Sequence, residues 1–422
     1  MDMQSKAKKL IEMIQTAPVE WKPLGEIAEV SAGNSAPQNS AFFENGIYPF
    51  CRTSDVGRVH HSINFYQIQD KLNDIGIKGL RLFKKETILL PKSGASTLLN
   101  HRVMLTIDSY VSSHLATIYR NEKIVLAKYL FYFLSQFDVN ELIPDKSYPS
   151  LKVTEIAKIK IPIPPLETQK KIVKILDKFT ELEATLEAEL ALRKRQYRYY
   201  RDFLLDFDNQ IGGGIADGYQ CRLKDVVWKT LGEVGTLIRG NGLQKKDFTE
   251  DGIPAIHYGQ IYTQYGNQIT ETISFVSPEL AEKLRKVDKG DVVITNTSEN
   301  IEDVGKALLY LGERQAVTGG HATIFKPGKE IIGKFFVHFT QTEIFNKAKR
   351  KFAKGTKVID VSATDMAKIK IPIPPLPEQE KIVAILDKFD TLTHSISEGL
   401  PHEIALRRKQ YEYYREQLLA FR

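Results

Sequence analysis

The sequence predicts an α+β protein. Two globular domains are separated by two long helices that pair as an antiparallel coiled coil, and the whole carries an internal pseudo-twofold repeat. Three observations predict this. The decapeptide AKIKIPIPPL occurs at residues 157–166 and again, 210 residues later, at 367–376. Each copy opens the same kind of helix, IVKILDKF from Ile172 and IVAILDKF from Ile382. Before each copy lie short β-rich runs broken by Gly, Asn, Asp and Pro, which read as a mixed domain rather than a bundle. Self-similarity on this scale means one supersecondary assembly used twice, so the object it binds is expected to have two matching parts.

Taken in chain order, the first element is a short amphipathic helix with Leu10, Ile11 and Ile14 on one side. Trp21-Lys22-Pro23-Leu24-Gly25-Glu26 then aligns with Trp228-Lys229-Thr230-Leu231-Gly232-Glu233 at an offset of 207, and Gly33-Asn34 falls on Gly240-Asn241 in the same register. Gly46-Ile47 matches Gly252-Ile253, Ile88-Leu89-Leu90 matches Val292-Val293-Ile294, and His114 matches His321. The drifting offset is what loop insertions produce. Strands are expected at 87–90, 103–107, 116–119, 291–295 and 322–325, and helices at 127–136 and 334–346. A shared frame with divergent loops suits a scaffold whose loops read different targets.

The proline phrase cannot be helix interior. Pro162, Pro164 and Pro165 lack amide hydrogens and push the residues before them toward extended geometry, so each phrase reads as a strand leaving its domain. After the first phrase, two interlaced seven-residue series run through Ile172, Phe179, Leu186 and Tyr200, and through Leu176, Leu190, Tyr197 and Leu204, interrupted by Glu183 and Arg193. A helix over 166–207 would be roughly 60 Å long at 1.5 Å per residue. It needs a partner along its stripe. The second copy supplies one through Ile382, Leu386 and Phe389 and then Tyr411, Tyr414 and Leu418. Four extra residues there bring Gly399 and Pro401, which predict a break between two helices with the seam resuming beyond it.

Composition narrows the function. Lys+Arg 59 against Asp+Glu 52 gives a net charge of +7, which favours a polyanionic partner. Cys51 and Cys221 sit in different halves, away from ligand-spaced Cys or His, so neither zinc nor a disulfide framework is expected. No long apolar run or signal-peptide core occurs, which predicts a cytoplasmic protein with no membrane partner. No GxxxxGK[ST] phosphate loop is present, nor a strand–glycine turn for S-adenosylmethionine with an NPPY-like tetrapeptide. Gly212-Gly213-Gly214 reads as a flexible linker. Asp145, Glu155 and Lys158 lack the spacing of a nuclease site. No catalytic residue and no metal ligand is expected.

IPIPPL followed by a Gln and an ILDKF helix, repeated after each of two variable domains that open with WKxLGE, resembles the DNA specificity subunit of type I restriction-modification enzymes. The resemblance covers nearly the whole chain; one departure is Leu166-Glu167-Thr168-Gln169 where the second copy has Pro375-Leu376-Pro377-Glu378-Gln379. It implies a division into a first target recognition domain at 1–156, a helical region at 157–208, a second recognition domain at 209–366 and a second helical region at 367–422. Each recognition domain would contact one half of a split double-stranded DNA sequence. The helices would fix the unread spacer and dock two methyltransferase (modification) subunits, through which restriction/translocase subunits join. No cofactor would be bound by this chain; S-adenosylmethionine would belong to the methyltransferase subunits, and ATP and magnesium to the restriction subunits.

Loops flanking the aligned strands are the natural place for base readout, because amides, hydroxyls and guanidinium groups make edge-specific hydrogen bonds. The candidates are Arg52, Thr53, Ser54, Lys92 and Ser93 in the first domain, and Tyr258, Gln260, Asn296, Thr297 and Ser298 in the second. The basic run containing Lys349, Arg350 and Lys351 is a candidate phosphate contact, with a solvated helix face as the alternative. His114 and His321 are read as packed, hydrogen-bonded residues of the shared frame, with phosphate contact as the alternative. Helix pairing and subunit docking are assigned to Ile172, Leu176, Phe179, Leu186, Leu190, Tyr197, Ile382, Leu386, Phe389, Tyr411, Tyr414 and Leu418. The competing functions are a self-sufficient methyltransferase or endonuclease, and a coiled-coil scaffold without DNA preference.

Overall fold

A computed structural model describes residues 11–59, 61–65, 67–143, 145–207 and 226–421. Leu10, Cys221 and the glycine linker lie outside the described residues. The chain divides into two units, Met1–Thr185 with Ala405–Arg422, and Leu186–Ile404. Six helices organise them: α1 (Ala127–Gln136), α2 (Leu166–Leu205), α3 (Gly333–Phe339), α4 (Glu343–Arg350), α5 (Leu376–His394) and α6 (Leu400–Leu419). The division between units falls inside α2, which is continuous over 40 residues.

The first unit contains a five-stranded sheet in the order Ala28–Ala32, Leu115–Arg120, Ile88–Pro91, Arg102–Leu105, His61–Phe65. Its last pair is parallel and the others antiparallel. The second unit repeats that order with Gly235–Arg239, Ala322–Pro327, Val292–Thr295, Ala307–Tyr310 and Gln268–Ile269, again with the last pair parallel. A second sheet accompanies each, three-stranded around Tyr48–Cys51 in the first unit and five-stranded around Ile253–Ile256 in the second. The central strands Ile88–Pro91 and Val292–Thr295 are buried at every position, which is why both read as continuous apolar runs rather than alternating ones. Burial pushes the thiol of Cys51 well above its ordinary pKa, so it is an inert core residue.

Both proline phrases are strands, as expected. Lys160–Ile163 pairs antiparallel with Glu20–Pro23, setting Trp21 opposite Pro162, and Lys370–Ile373 pairs with Val227–Thr230, setting Trp228 opposite Pro372. A proline survives here because each ladder has only two strands. The following turn is equally specific. Gly25 N donates to Ala157 O at 2.9 Å, and a Cβ on Gly25 would lie 3.2 Å from that of Ala157; Gly232 repeats both relations with Ala367.

Below each neck a buried glutamine ties three segments together. The Gln169 side chain accepts from Leu126 N at 2.9 Å and donates to Ile124 O at 3.0 Å and Pro164 O at 2.9 Å. Gln379 does the same with Ile332 N, Glu330 O and Pro374 O at 2.9, 2.8 and 2.8 Å. Both are fully buried. About two turns further along, Asp177 accepts from Lys128 Nζ and Tyr132 Oη, each at 2.7 Å. Asp387, its counterpart, accepts from His338 Nε2 at 2.8 Å and faces Lys334 Nζ at 3.4 Å.

Helix pairing is antiparallel within each unit. In the first, Phe179 stacks on Tyr414 and tilts against Tyr411, while Glu183, further along α2, meets Arg408, earlier in α6. In the second, Tyr197 and Tyr200 stack on Phe389. Ile172, Leu176 and Leu418 sit in the core around α1, and Ile382 and Leu386 in the core around α3. The stripe is therefore shared between a partner helix and the adjoining domain. Leu186 and Leu190 are only half-buried, in a stretch of α2 where Leu182 and Leu192 are exposed.

Two expectations needed adjustment. The single helix expected over 334–346 is two, because Thr342 Oγ1 accepts from Phe345 N and starts α4 afresh. The long helix ends at Leu205, two residues short of Phe207. The break between α5 and α6 stands where Gly399 and Pro401 placed it: a Cβ on Gly399 would come within 2.2 Å of Thr391 O.

Removing either glutamine amide strands one buried donor and two carbonyls, a loss of on the order of 3 kcal/mol. Gln169→Ala is expected to speed amide hydrogen exchange in 126–136 and leave 332–339 unchanged, and Gln379→Ala to do the reverse. Exchange read by mass spectrometry on both variants checks it; equal effects in both segments would refute the independence of the two latches.

Candidate nucleic-acid interface

The loops at one end of each sheet are built on duplicated backbone geometry. In the first unit Lys92 N donates to His114 O at 2.9 Å and Leu151 N to Lys92 O at 2.7 Å. In the second unit Asn296 N donates to His321 O at 2.8 Å and Val361 N to Asn296 O at 2.9 Å. The preceding Gly-Asn pairs brace the same loops. Asn34 exchanges two hydrogen bonds with the backbone of Arg81, both 2.8 Å. Asn241 donates to Lys283 O at 2.8 Å and accepts from Arg285 N at 2.9 Å. A Cβ on Gly33 would lie 2.3 Å from Ser112 O, and one on Gly240 would lie 2.2 Å from Gly319 O, so both close approaches need glycine.

On this frame the histidines carry matching contacts. Ser93 Oγ lies 2.7 Å from His114 Nδ1, and Thr297 Oγ1 lies 2.9 Å from His321 Nδ1. Both rings are exposed. The expectation of packed, hydrogen-bonded histidines is thus met in the hydrogen bond and corrected in the burial: each ring is held at one nitrogen and open to solvent.

The first-domain candidates divide by how much of each is already engaged. Arg52 forms an ion pair with Asp70 and lies over the rings of Phe43 and Phe50 at 5.1 and 5.3 Å, so its charge is largely answered within the domain. Thr53 is half-buried at the start of a short helical turn, and Ser54 beside it is exposed. Lys92 and Ser93 are half-buried at the loop that holds His114.

In the second domain, Tyr258 is half-buried between His257 and His321, with ring centroids 4.6 and 4.8 Å away. Burial, then the charges of Lys245 and His321, lower the pKa of His257, which favours the neutral ring that accepts from Gly259 N at 3.2 Å. Gln260 is engaged at both ends, accepting from His257 N and donating to Ser274 Oγ. Asn296 is a correction. It is fully buried, with Oδ1 accepting from Thr323 Oγ1 at 2.7 Å, so its side chain cannot reach a base edge. Thr297 is 7% exposed and serves His321. Ser298 remains half-buried at the loop. The sequence offered no sign of which loop residues turn inward, because Asn, Thr and Ser suit both a buried hydrogen bond and a wet surface.

Among the described residues no helix is long and apolar enough to cross a membrane, and no group of three His, Cys, Asp or Glu could hold a metal ion.

Residues 18–192 and 224–406 each match the family described as the type I restriction modification DNA specificity domain. A Haemophilus influenzae chain assigned as a type I restriction enzyme specificity subunit is 28% identical over 429 residues, covering 99% of this chain and all of the relative. The Escherichia coli EcoR124I/EcoR124II specificity subunit is 35% identical over 310 residues, covering 70% of this chain and 71% of its own. Among solved structures, the fold is similar to a chain from a type I restriction-modification system (TM-score 0.62, 16% identity, 96% of this chain and 98% of the other). It is also similar to the S subunit from M. genitalium (TM-score 0.54, 14% identity, 96% and 97%).

The basic run on α4 is the second correction. Lys349 is 2% exposed, and its Nζ donates to Glu302 O at 2.8 Å and Val304 O at 2.6 Å, which removes it from any phosphate. Arg350 is half exposed and lies 3.5 Å from Glu302 and 3.9 Å from Glu343, acids that the run itself did not contain; Lys351 is exposed. Burial lowers the Lys349 pKa to about 8, against the opposing pull of Glu302 and Asp303. The folded state therefore loses this proton well before the unfolded chain does, and stability rises with pH between the two pKa values. Denaturant unfolding should show wild type gaining about 1–2 kcal/mol over Lys349→Met from about pH 8 to about pH 9.5. A pH-independent difference would refute it.

Proposed function

The chain belongs to the type I restriction modification DNA specificity domain family, and from that premise we propose that its two domains each read one half of a bipartite double-stranded DNA target. The observation that carries this reading is the pairing of one backbone frame with two sets of loop side chains. Lys92 and Asn296 make the same main-chain hydrogen bonds, and Arg52-Thr53 occupies the loop position of His257-Tyr258, each following the corresponding strand, Tyr48–Cys51 or Ile253–Ile256. Identical frames with different loop chemistry are what two readers of unlike half-sites require.

In this reading 1–156 and 209–366 are the recognition domains, and 157–208 with 367–422 are the helical regions. The uninterrupted α2, about 60 Å of helix, sets the length of the unread spacer. The outer faces of the helices dock two methyltransferase subunits, and restriction/translocase subunits join through these. The chain performs no bond-breaking step; S-adenosylmethionine serves the methyltransferase subunits, and ATP and magnesium the restriction subunits. Support for assembly comes from the relatives, which are named as subunits of restriction enzymes.

Mapping methylated adenines in the genome with and without this gene tests the whole reading. A split motif of two short half-sites should vanish when the gene is removed, and an unchanged methylation pattern would overturn it. The spacer is tested separately. Residues 181–184, 185–188 and 189–192 are tetrads with a leucine in each, in the exposed stretch of α2. Inserting one more adds about 6 Å, roughly two base pairs at 3.4 Å. The methylated motif should keep both half-sites and lengthen its spacer; an altered half-site with the old spacer would sink the ruler.

A further inference from the structure

We propose that His114 and His321 are duplicated phosphate contacts: each hydroxyl-held imidazole presents its Nε2 to a DNA backbone oxygen, gripping its half-site without reading its sequence. The inference rests on the DNA-recognition reading above and adds to it which side chains hold the duplex irrespective of sequence.

Three observations carry it. The first is geometric. Each Nδ1 is engaged by a hydroxyl, Ser93 Oγ at 2.7 Å or Thr297 Oγ1 at 2.9 Å, and each histidine's own carbonyl is fixed by the amide of Lys92 or Asn296. With the ring pinned at Nδ1, Nε2 is the imidazole's remaining polar atom. When the hydroxyl donates to Nδ1, Nε2 carries the proton and donates, which is what a phosphate oxygen accepts.

The second is exposure. Both rings are solvent-exposed, so neither is retained for core volume. The third is the duplication itself. Neighbouring positions have diverged between the domains, Lys92 against Asn296 and Thr53 against Tyr258, while the histidine and its hydroxyl partner occur in both. A contact that reads bases differs between unlike half-sites. A contact common to both halves recognises what the halves share, and two stretches of duplex of different sequence share the sugar–phosphate backbone. The second domain adds Tyr258, whose ring lies 4.8 Å from His321 and limits how far the imidazole can swing.

The test uses the specificity chain assembled with its modification subunits. His114→Ala, His321→Ala and the double variant are titrated with the wild-type target and with a library randomised in both half-sites. Each single change should weaken binding on the order of three- to tenfold, uniformly across the library, with the preferred half-sites unchanged and the double variant close to the product. Ser93→Ala and Thr297→Ala, which free the ring but keep it, should give smaller losses of the same uniform kind. Targets with single methylphosphonate linkages then locate the contact. One neutralised phosphate per half-site should cost wild type the same factor and cost the histidine variant nothing further.

A changed half-site preference would make the histidines base readers and overturn the proposal, as would wild-type affinity in both alanine variants. If the wild-type complex itself showed no preference for a split target, the recognition reading would fall first, and that outcome is distinguishable because it precedes any substitution.

Discussion

The structure depends on a buried side-chain amide at the foot of each domain. Gln169 and Gln379 each satisfy one amide and two carbonyls belonging to the segment before a domain helix and to the proline phrase. Those backbone groups have no other route to a partner, because the prolines supply no N–H and the segments on either side are turning into helices. A lysine or glutamate at this position would bury a charge, and an alanine would leave three polar groups dry. A glutamine alone carries both a donor pair and an acceptor on a side chain long enough to reach. The long helix thus leaves its domain at a fixed angle. It is welded to the domain through the latch and then through the carboxylate of Asp177 or Asp387.

The two copies diverge where tolerance allows. Asp177 meets a tyrosine and a lysine, whereas Asp387 meets a buried histidine and a lysine, and His338 also reaches Tyr197 Oη at 3.3 Å. Burial would raise the pKa of Asp387, but the hydrogen bond from His338 and the charge of Lys334 prevail and hold it below the usual carboxylate range. Its contribution is therefore present at neutral pH and is lost as pH falls through that depressed value. Backbone relations, in contrast, are the same in both halves down to the residue: Leu24 N to Ile159 O and Leu231 N to Ile369 O, Gly25 N to Ala157 O and Gly232 N to Ala367 O.

The parts of this architecture that were legible in the sequence are those fixed by few alternatives. Proline cannot donate, so IPIPP had to be extended. Gly399 and Pro401 had to stop a helix, and a seven-residue stripe longer than any domain had to meet another helix. The heptad reading nevertheless assigned Ile172, Leu176, Ile382 and Leu386 to helix pairing and subunit docking, whereas they pack into the domain cores, because periodicity reports that a face is covered and not what covers it. The loop residues were the least legible. Asn296 and Lys349 are polar residues that the fold withdrew from solvent and satisfied internally, and nothing in their neighbours distinguishes them from Ser54 or Lys351, which remain outside. The histidine–hydroxyl pairs connect residues 21 and 24 positions apart, a relation visible in sequence only as the alignment of His114 with His321.

Separating a rigid frame from changeable loops has a physical consequence for how such a protein diversifies. A substitution in an exposed loop side chain seldom costs more than a few tenths of a kcal/mol, so the surface that meets a ligand can be altered without disturbing the sheet beneath. A substitution in the neck or the latch strands buried polar groups and costs several times more. Stability selection therefore holds the angle at which each helix leaves its domain while leaving the loop chemistry free. In a chain built twice on that plan, the two loop sets drift independently and the exits stay matched. The present sequence has this form: AKIKIPIPPL is unchanged between copies, while Arg52-Thr53 in the first copy corresponds to His257-Tyr258 in the second.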